Sequence, residues 1–296
     1  MALRFGTLSV VVGGKACNAS CPFCISRQTP SNGVTPSAQF NLDNLPAACK
    51  LADKCGVTTA LITGKGEPTI YPEQINEAIV ILGEYFPIIE LQTNGLLFPQ
   101  GKLNKWLKIW REKGLKTICL SVVHYLPRKN GEIYCSSQPP ILETYYPNLK
   151  DTIDFLHDFH YSMRLSVIGC KGYIDSDVEL AVMIDVCRTL KVEQLTWRPV
   201  KRIDDSENYE TAKATERYLI PEKQLKAIEK WICSSKDFIP LMELGFGATV
   251  YDVKGQNFCF STCLTETTKP DEQRQLIYFP DGHLRFSWKY PGAIIF

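Results

Sequence analysis

The stretch LSVVVGGKACNASCPFC, Leu8–Cys24, decides how this chain is read. It opens with an apolar, β-branched run, Leu8–Val12, that stops at Gly13 and Gly14. A short apolar run bounded by glycine reads as a buried strand. Three cysteines follow at once, Cys17, Cys21 and Cys24, spaced C-x3-C-x2-C. Thiolates are soft ligands that select iron–sulfur clusters or zinc. A fully ligated cluster or a structural zinc site takes four ligands, and this loop supplies three, which leaves one metal position open. Between the last two cysteines, Pro22 stiffens the turn and Phe23 offers a ring that can shield a cluster.

The rest of the composition narrows the setting. The chain has 296 residues, enough for about two ordinary domains or for one barrel with an extension. Hydrophobic residues make up 45% and charged residues 22%, which excludes a disordered chain and predicts a sizeable core. Lys plus Arg is 33 against 32 for Asp plus Glu, a net charge of +1 with no like-charge block. A protein that neutralises the phosphates of long DNA or RNA shows a basic excess, so that partner is not expected. The first fourteen residues are too short and too weakly apolar for a signal peptide, and no apolar run is long enough to span a membrane. A soluble, cytoplasmic protein without membrane contact is expected. There the twelve cysteines read as metal ligands or catalytic groups where they cluster, and as small hydrophobes where they do not.

Beyond the loop, strand and helix patterns alternate. Strands are predicted at Val57–Ile62, Pro87–Gln92, Thr117–Val123, Ser162–Ile168 and Gln194–Trp197. Helices are predicted at Asp43–Cys55, Pro72–Tyr85, Lys102–Lys113, Asn148–Phe159 and Asp177–Leu190. Alternation of this kind implies βαβ units and a parallel sheet. Six βα units are too few to close an eight-stranded barrel, so the expected fold is α/β, an open partial (βα)6 barrel of the TIM-like kind. It should occupy residues 1–198. Residues 199–296 should form a C-terminal extension covering the barrel mouth, with Pro199–Tyr218 as a polar loop and Pro221–Ile232 as an amphipathic helix.

The second strand ends in Gly64-Lys65-Gly66-Glu67-Pro68. Glycines at the C-terminal end of a parallel strand let the backbone pass close to a ligand. With the triad one βα unit earlier, this pattern resembles the radical S-adenosylmethionine superfamily, from the first strand through roughly two-thirds of the chain. The resemblance implies that Cys17, Cys21 and Cys24 hold a 4Fe–4S cluster whose open iron chelates S-adenosylmethionine. It implies reductive cleavage to methionine and a 5′-deoxyadenosyl radical that takes hydrogen from a substrate, with an electron from a flavodoxin or ferredoxin. The Gly64, Gly66, Glu67, Pro68 turn then holds the amino group of the cofactor; Lys65 departs from the family's glycine. Asn94 after the third strand, Ser121 on the fourth, Ser166 on the fifth and Arg198 on the sixth are further expected cofactor contacts, all near strand ends where barrels build sites.

The resemblance leaves the substrate open. A small polar molecule is the leading expectation, and epimerisation of a sugar or aminoglycoside carbon is the reaction favoured by the late Cys259 and Cys263. One of the two would donate hydrogen, with Phe258 and Phe260 excluding water. Alternatively the pair holds an auxiliary cluster with Cys233, as in peptide- or nucleotide-modifying relatives, or both are structural. A non-catalytic iron–sulfur or zinc module, its fourth ligand from Cys49, Cys55 or Cys259, is the competing class. Asp281, His283, Arg285 and Trp288 could line the mouth, or form a solvated hairpin tip.

Overall fold

The computed structural model describes residues 4–136, 146–203, 206–244, 247–262 and 272–296. The expected alternation is present: β1 (Arg4–Val11), α1 (Ile25–Gln28), α2 (Leu45–Lys54), β2 (Thr59–Thr63), α3 (Pro72–Leu82), β3 (Ile88–Thr93), α4 (Asn104–Glu112) and β4 (Leu115–Val122). Then come α5 (Pro127–Tyr134), α6 (Leu149–Asp158), β5 (Ser162–Gly169), α7 (Asp177–Thr189) and β6 (Gln194–Pro199). The helices form where the sequence carries an apolar face, and α6 and α7 add a side-chain cap. Helix α2 buries Leu45, Ala48, Cys49 and Ala52, the face read from the sequence. Helices α6 and α7 are capped by Asn148, which accepts from the Lys150 amide at 2.9 Å, and by Ser176, which accepts from the Glu179 amide at 3.2 Å. No helix among the described residues is long and apolar enough to cross a membrane.

Strands β1 to β6 lie side by side in order and all parallel, and the sheet stays open. The tail continues through α8 (Tyr209–Glu216), α9 (Glu222–Ser234), β7 (Phe238–Leu244), β8 (Ala248–Val253), β9 (Gln256–Ser261), β10 (Glu272–Tyr278) and β11 (Leu284–Arg285). It amends the expectation of an extension lying over the mouth. Strand β9 pairs parallel to β6, with Thr196 opposite Cys259, and β10 pairs parallel to β1, with Leu8 opposite Leu276. The order β11-β10-β1-β2-β3-β4-β5-β6-β9-β8-β7 therefore carries residues of the extension at both ends. Parallel partners so distant in sequence leave no local signal of which strand they join.

The loop expected over Pro199–Tyr218 is corrected too, because it contains α8. Asn208 caps that helix by accepting from the Thr211 amide at 2.9 Å, so a polar segment without a strong apolar stripe still folds. Helix α8 braces the cysteine loop from outside. Gln28, buried at the end of α1, donates from Nε2 to Thr215 Oγ1 at 3.2 Å, and Phe23 meets Tyr218 edge-on at 5.1 Å between centroids. Phe23 is thus an anchor of the loop.

Replacing Thr215 with valine keeps the shape and leaves the Gln28 amide without this acceptor. An unpaired buried donor costs about 1–3 kcal/mol, which should appear as a lower urea midpoint at unchanged slope.

Candidate active site

The chain after β1 and the turn after β2 meet at the C-terminal end of the sheet and are locked together. The Glu67 amide donates to the Ala16 carbonyl at 2.9 Å. A Cβ on Gly66 would stand 2.0 Å from that same carbonyl oxygen, so glycine is needed here for contact with the cysteine loop. This changes the role expected for Gly66, whose close approach is to protein backbone. Gly64 packs inside the turn, its Cβ direction 3.1 Å from the Gly66 carbonyl, and Pro68 starts a short 3-10 turn. The carbonyls of Gly64, Lys65 and Gly66 accept no hydrogen bond among the described residues. Lys65 is buried and spans the loop. Its Nζ donates to Thr29 Oγ1 at 2.5 Å, and it lies 5.6 Å from the Trp288 ring centroid. Burial draws its pKa down to about 8.

Glu67 is the hub of this end. Its side chain is 3% exposed. Oε1 accepts from the Thr69 amide at 3.0 Å, from Thr69 Oγ1 at 2.6 Å and from Thr93 Oγ1 at 2.6 Å, and Oε2 accepts from the Asn94 amide at 2.9 Å. Burial pushes this carboxyl up, and the four donors oppose that push. This carboxylate is occupied in tying the end of β2 to the end of β3. Asn94 extends the link: its Nδ2 donates to Asn18 Oδ1 at 2.8 Å and lies 3.9 Å from Cys17 Sγ.

Cys17, Cys21 and Cys24 are all free thiols, Cys17 exposed and the other two half-buried. Burial first, then the charges of Cys24 and Cys17, push the Cys21 thiol up to about 12; burial also raises Cys17. The three thus share one small volume. Among the described residues no three His, Cys, Asp or Glu side chains converge on one metal ion. In a four-iron cluster each thiolate binds its own iron, so ligands ring a shared volume and need not meet at a point. Cys49 is fully buried on the sheet-facing side of α2, which removes it as a fourth zinc ligand. Tyr134, buried near Cys21, has a hydroxyl without a partner among the described residues.

The sheet's inner face carries a polar row across four strands. Ser121 pairs with Ser166, Ser166 with Thr196 and Thr196 with Cys259, so these side chains share one face. Below the row, Arg164 donates from Nε to Glu90 Oε2 at 2.7 Å and makes a second contact to Oε1. Arg198 donates to Ser166 Oγ at 2.7 Å. Cys259 is half-buried and its thiol is raised by burial, against the pull of Arg164 and Arg198. Phe258 and Phe260 lie on the opposite face, with Phe260 stacked on Trp197 at 5.7 Å and Phe258 against Phe238 at 5.7 Å. Neighbours in a strand alternate sides, so these rings cannot shield the Cys259 sulfur as expected. Cys233 is exposed on α9, which packs through Trp231 on Phe238, on the face away from Cys259. A shared cluster of the two is thereby ruled out. Cys263 lies outside the described residues.

The sequence reading missed Glu90 and Thr93 as site-forming groups. Alternation along β3 was the available signal, since Glu90 is a charged residue inside a predicted strand. The tail turn is tied to the segment after α1, the Asp281 amide donating to the Gly33 carbonyl at 3.2 Å and the Asn41 amide to the Pro280 carbonyl at 2.9 Å, while Arg285 grips Asp281 through Nη1 at 2.9 Å and Nη2 at 2.6 Å, over the Phe279 ring at 4.8 Å. Glu67→Gln keeps the volume but turns an NH2 toward donors that face the carboxylate. It should lower stability by about 1–3 kcal/mol, read from the urea midpoint of the metal-free protein.

Known proteins share this fold at low sequence identity. The chain is 25% identical over 193 residues to GTP 3′,8-cyclase of Aquifex aeolicus (strain VF5), covering 64% of this chain and 54% of that protein. SuiB of Streptococcus suis bound to S-adenosylmethionine superimposes with a TM-score of 0.61 at 15% identity, over 96% of this chain and 60% of SuiB. SuiB bound to its precursor peptide SuiA gives a TM-score of 0.58 at 14% identity and the same coverage. The chain therefore spans little more than half the length of these relatives. Residues 11–181, over half of the chain, match the radical SAM superfamily; the chain belongs to that superfamily, whose cofactors are a 4Fe–4S cluster and S-adenosylmethionine.

Proposed function

We propose that this protein is a radical enzyme that takes hydrogen from a polar substrate held inside the open barrel, with Cys259 returning hydrogen to it. The observation that carries this reading is the row Ser121, Ser166, Thr196 and Cys259, which lines the inner face beside Arg198. Cys17, Cys21 and Cys24 would hold the cluster. Their fit is supported by three free thiols within reach of one another's charge, and by the Tyr134 hydroxyl near Cys21, which has no partner among the described residues. The carbonyls of Gly64, Lys65 and Gly66 would accept from the ammonium of S-adenosylmethionine. Asn94 and Pro68 would shape that turn, and Ser121 and Ser166 would face the cofactor or substrate from below. When bound, the cluster supplies one electron that cleaves S-adenosylmethionine to methionine and the deoxyadenosyl radical, which abstracts hydrogen.

The chain's own part is to position groups and to quench. Glu67 and Asn94 hold the cysteine loop in register with the β2 turn. Cys259 gives a hydrogen atom to the substrate carbon: S–H breaks, C–H forms, and a thiyl remains. One electron from an external reductant and one proton from water restore the thiol. Radical SAM enzymes require such a reductant, and a flavodoxin or ferredoxin suits the role. Burial keeps Cys259 protonated, the form that can donate hydrogen. Delivery from the face opposite the abstraction inverts the carbon, so epimerisation of a sugar or aminoglycoside is the reaction proposed. A peptide substrate is the second reading, favoured by the fold it shares with peptide-bound SuiB.

Anaerobically reconstituted protein should form 5′-deoxyadenosine, and the Cys17→Ala, Cys21→Ala, Cys24→Ala triple variant should not; a triple variant that still forms it removes the cluster assignment. In deuterated water, screened sugars and aminoglycosides should gain deuterium at one carbon with wild type. Cys259→Ala should still form deoxyadenosine and lose the deuterium, with Cys263→Ala made in parallel. Deuterium retained in Cys259→Ala excludes it as the donor. Gly66→Ala should cut iron bound per chain by roughly twofold or more, because overpacking at 2.0 Å displaces the cysteine loop.

A further inference from the structure

We infer that Arg198 binds an anionic group of the substrate, a phosphate or carboxylate, deep in the barrel. The inference rests on the interior substrate site proposed above and specifies the chemistry of what enters it. Arg198 stands opposite Ile168 in the β5–β6 register, yet its Nη2 donates at 2.7 Å to Ser166, two residues earlier on β5. The side chain therefore reaches back along the strands, away from the ends where the cysteine loop and the β2 turn meet. That direction separates it from the cofactor end, where the sequence reading had placed it.

Among the described residues the carboxylate that favours its charge is already engaged. Glu90 is the carboxylate of this region, and Arg164 grips it through two contacts. The described residues show no ion pair to Arg198, and its hydrogen-bond partner is the neutral Ser166 hydroxyl. Burial is the first cause that disfavours the charge of Arg198, and the guanidiniums of Arg274 and Arg164 add to it. A guanidinium does not shed its proton at ordinary pH, and half-burial without an ion pair among the described residues costs this cation solvation. An anion of the substrate removes that cost, and the planar fork offers two parallel N–H bonds to a phosphate or carboxylate. Thr196 and Cys259 border the same spot, so the anchored group would sit beside the thiol.

The test needs no radical chemistry. Reconstituted protein saturated with S-adenosylmethionine is melted with inorganic phosphate or acetate, at constant ionic strength set with chloride. Wild type should gain about 2–4 °C in Tm from an anion that binds the folded state. Arg198→Gln should lose the gain. Arg198→Lys, which keeps a point charge without the fork, should retain part of it and serves if the glutamine variant does not fold. A gain with phosphate alone assigns a phosphoryl group, and a gain with acetate assigns a carboxylate. No gain with either anion, an equal gain in Arg198→Gln, or a gain that S-adenosylmethionine abolishes overturns the inference. Absence of 5′-deoxyadenosine would defeat the radical reading separately and leave this result standing.

Discussion

The buried carboxylate of Glu67 is the constraint on which the working end of this protein depends. Four donors from Thr69, Thr93 and Asn94 converge on it, and the Glu67 amide holds the Ala16 carbonyl. One residue thereby joins three strand ends: the loop after β1, the turn after β2 and the close of β3. Loops alone are poor at holding several groups within a fraction of an ångström, because each keeps its own backbone freedom. A charge-assisted network that engages both carboxylate oxygens removes that freedom.

The inner face follows a different logic. Its hydroxyl row and its guanidiniums lie where a barrel of pure hydrocarbon would be more stable, and the Arg164–Glu90 pair is itself only weak evidence for stability. Polar groups placed in a core against that cost point to chemistry done there. The helix-facing side shows the contrast: Leu195, Trp197 and Phe258 are fully buried there, one residue along from Thr196, Arg198 and Cys259. The period-two alternation of a strand lets one segment build core and site at once.

The tail ties these two regions together. Strands β9 and β10 extend the sheet at its two ends, α8 braces the cysteine loop through Thr215 and Tyr218, and Trp288 lies against Lys65. Residues after 199 are thus structural members of the sheet as well as neighbours of the site. A segment that pairs at both ends of an open sheet also protects strand edges that would otherwise present unpaired backbone groups.

The sequence by itself determined the alternation of strand and helix, the three-thiol loop and the glycine turn beside it. Each of these is local: a period of two or 3.6 residues, or ligands a few residues apart. It also placed Ser121 and Ser166 on predicted strands and Arg198 at the end of the sixth. It misjudged Phe258 and Phe260 as shields of Cys259, and the segment holding α8 as a loop. Tertiary structure alone decided that Gly66 presses on Ala16, that Glu67 serves β3, that Arg164 neutralises Glu90 while Arg198 goes without, and that Cys259 joins the row. These facts depend on pairings between residues tens of positions apart, and side-chain identity at one position carries no record of the strand that the fold sets beside it.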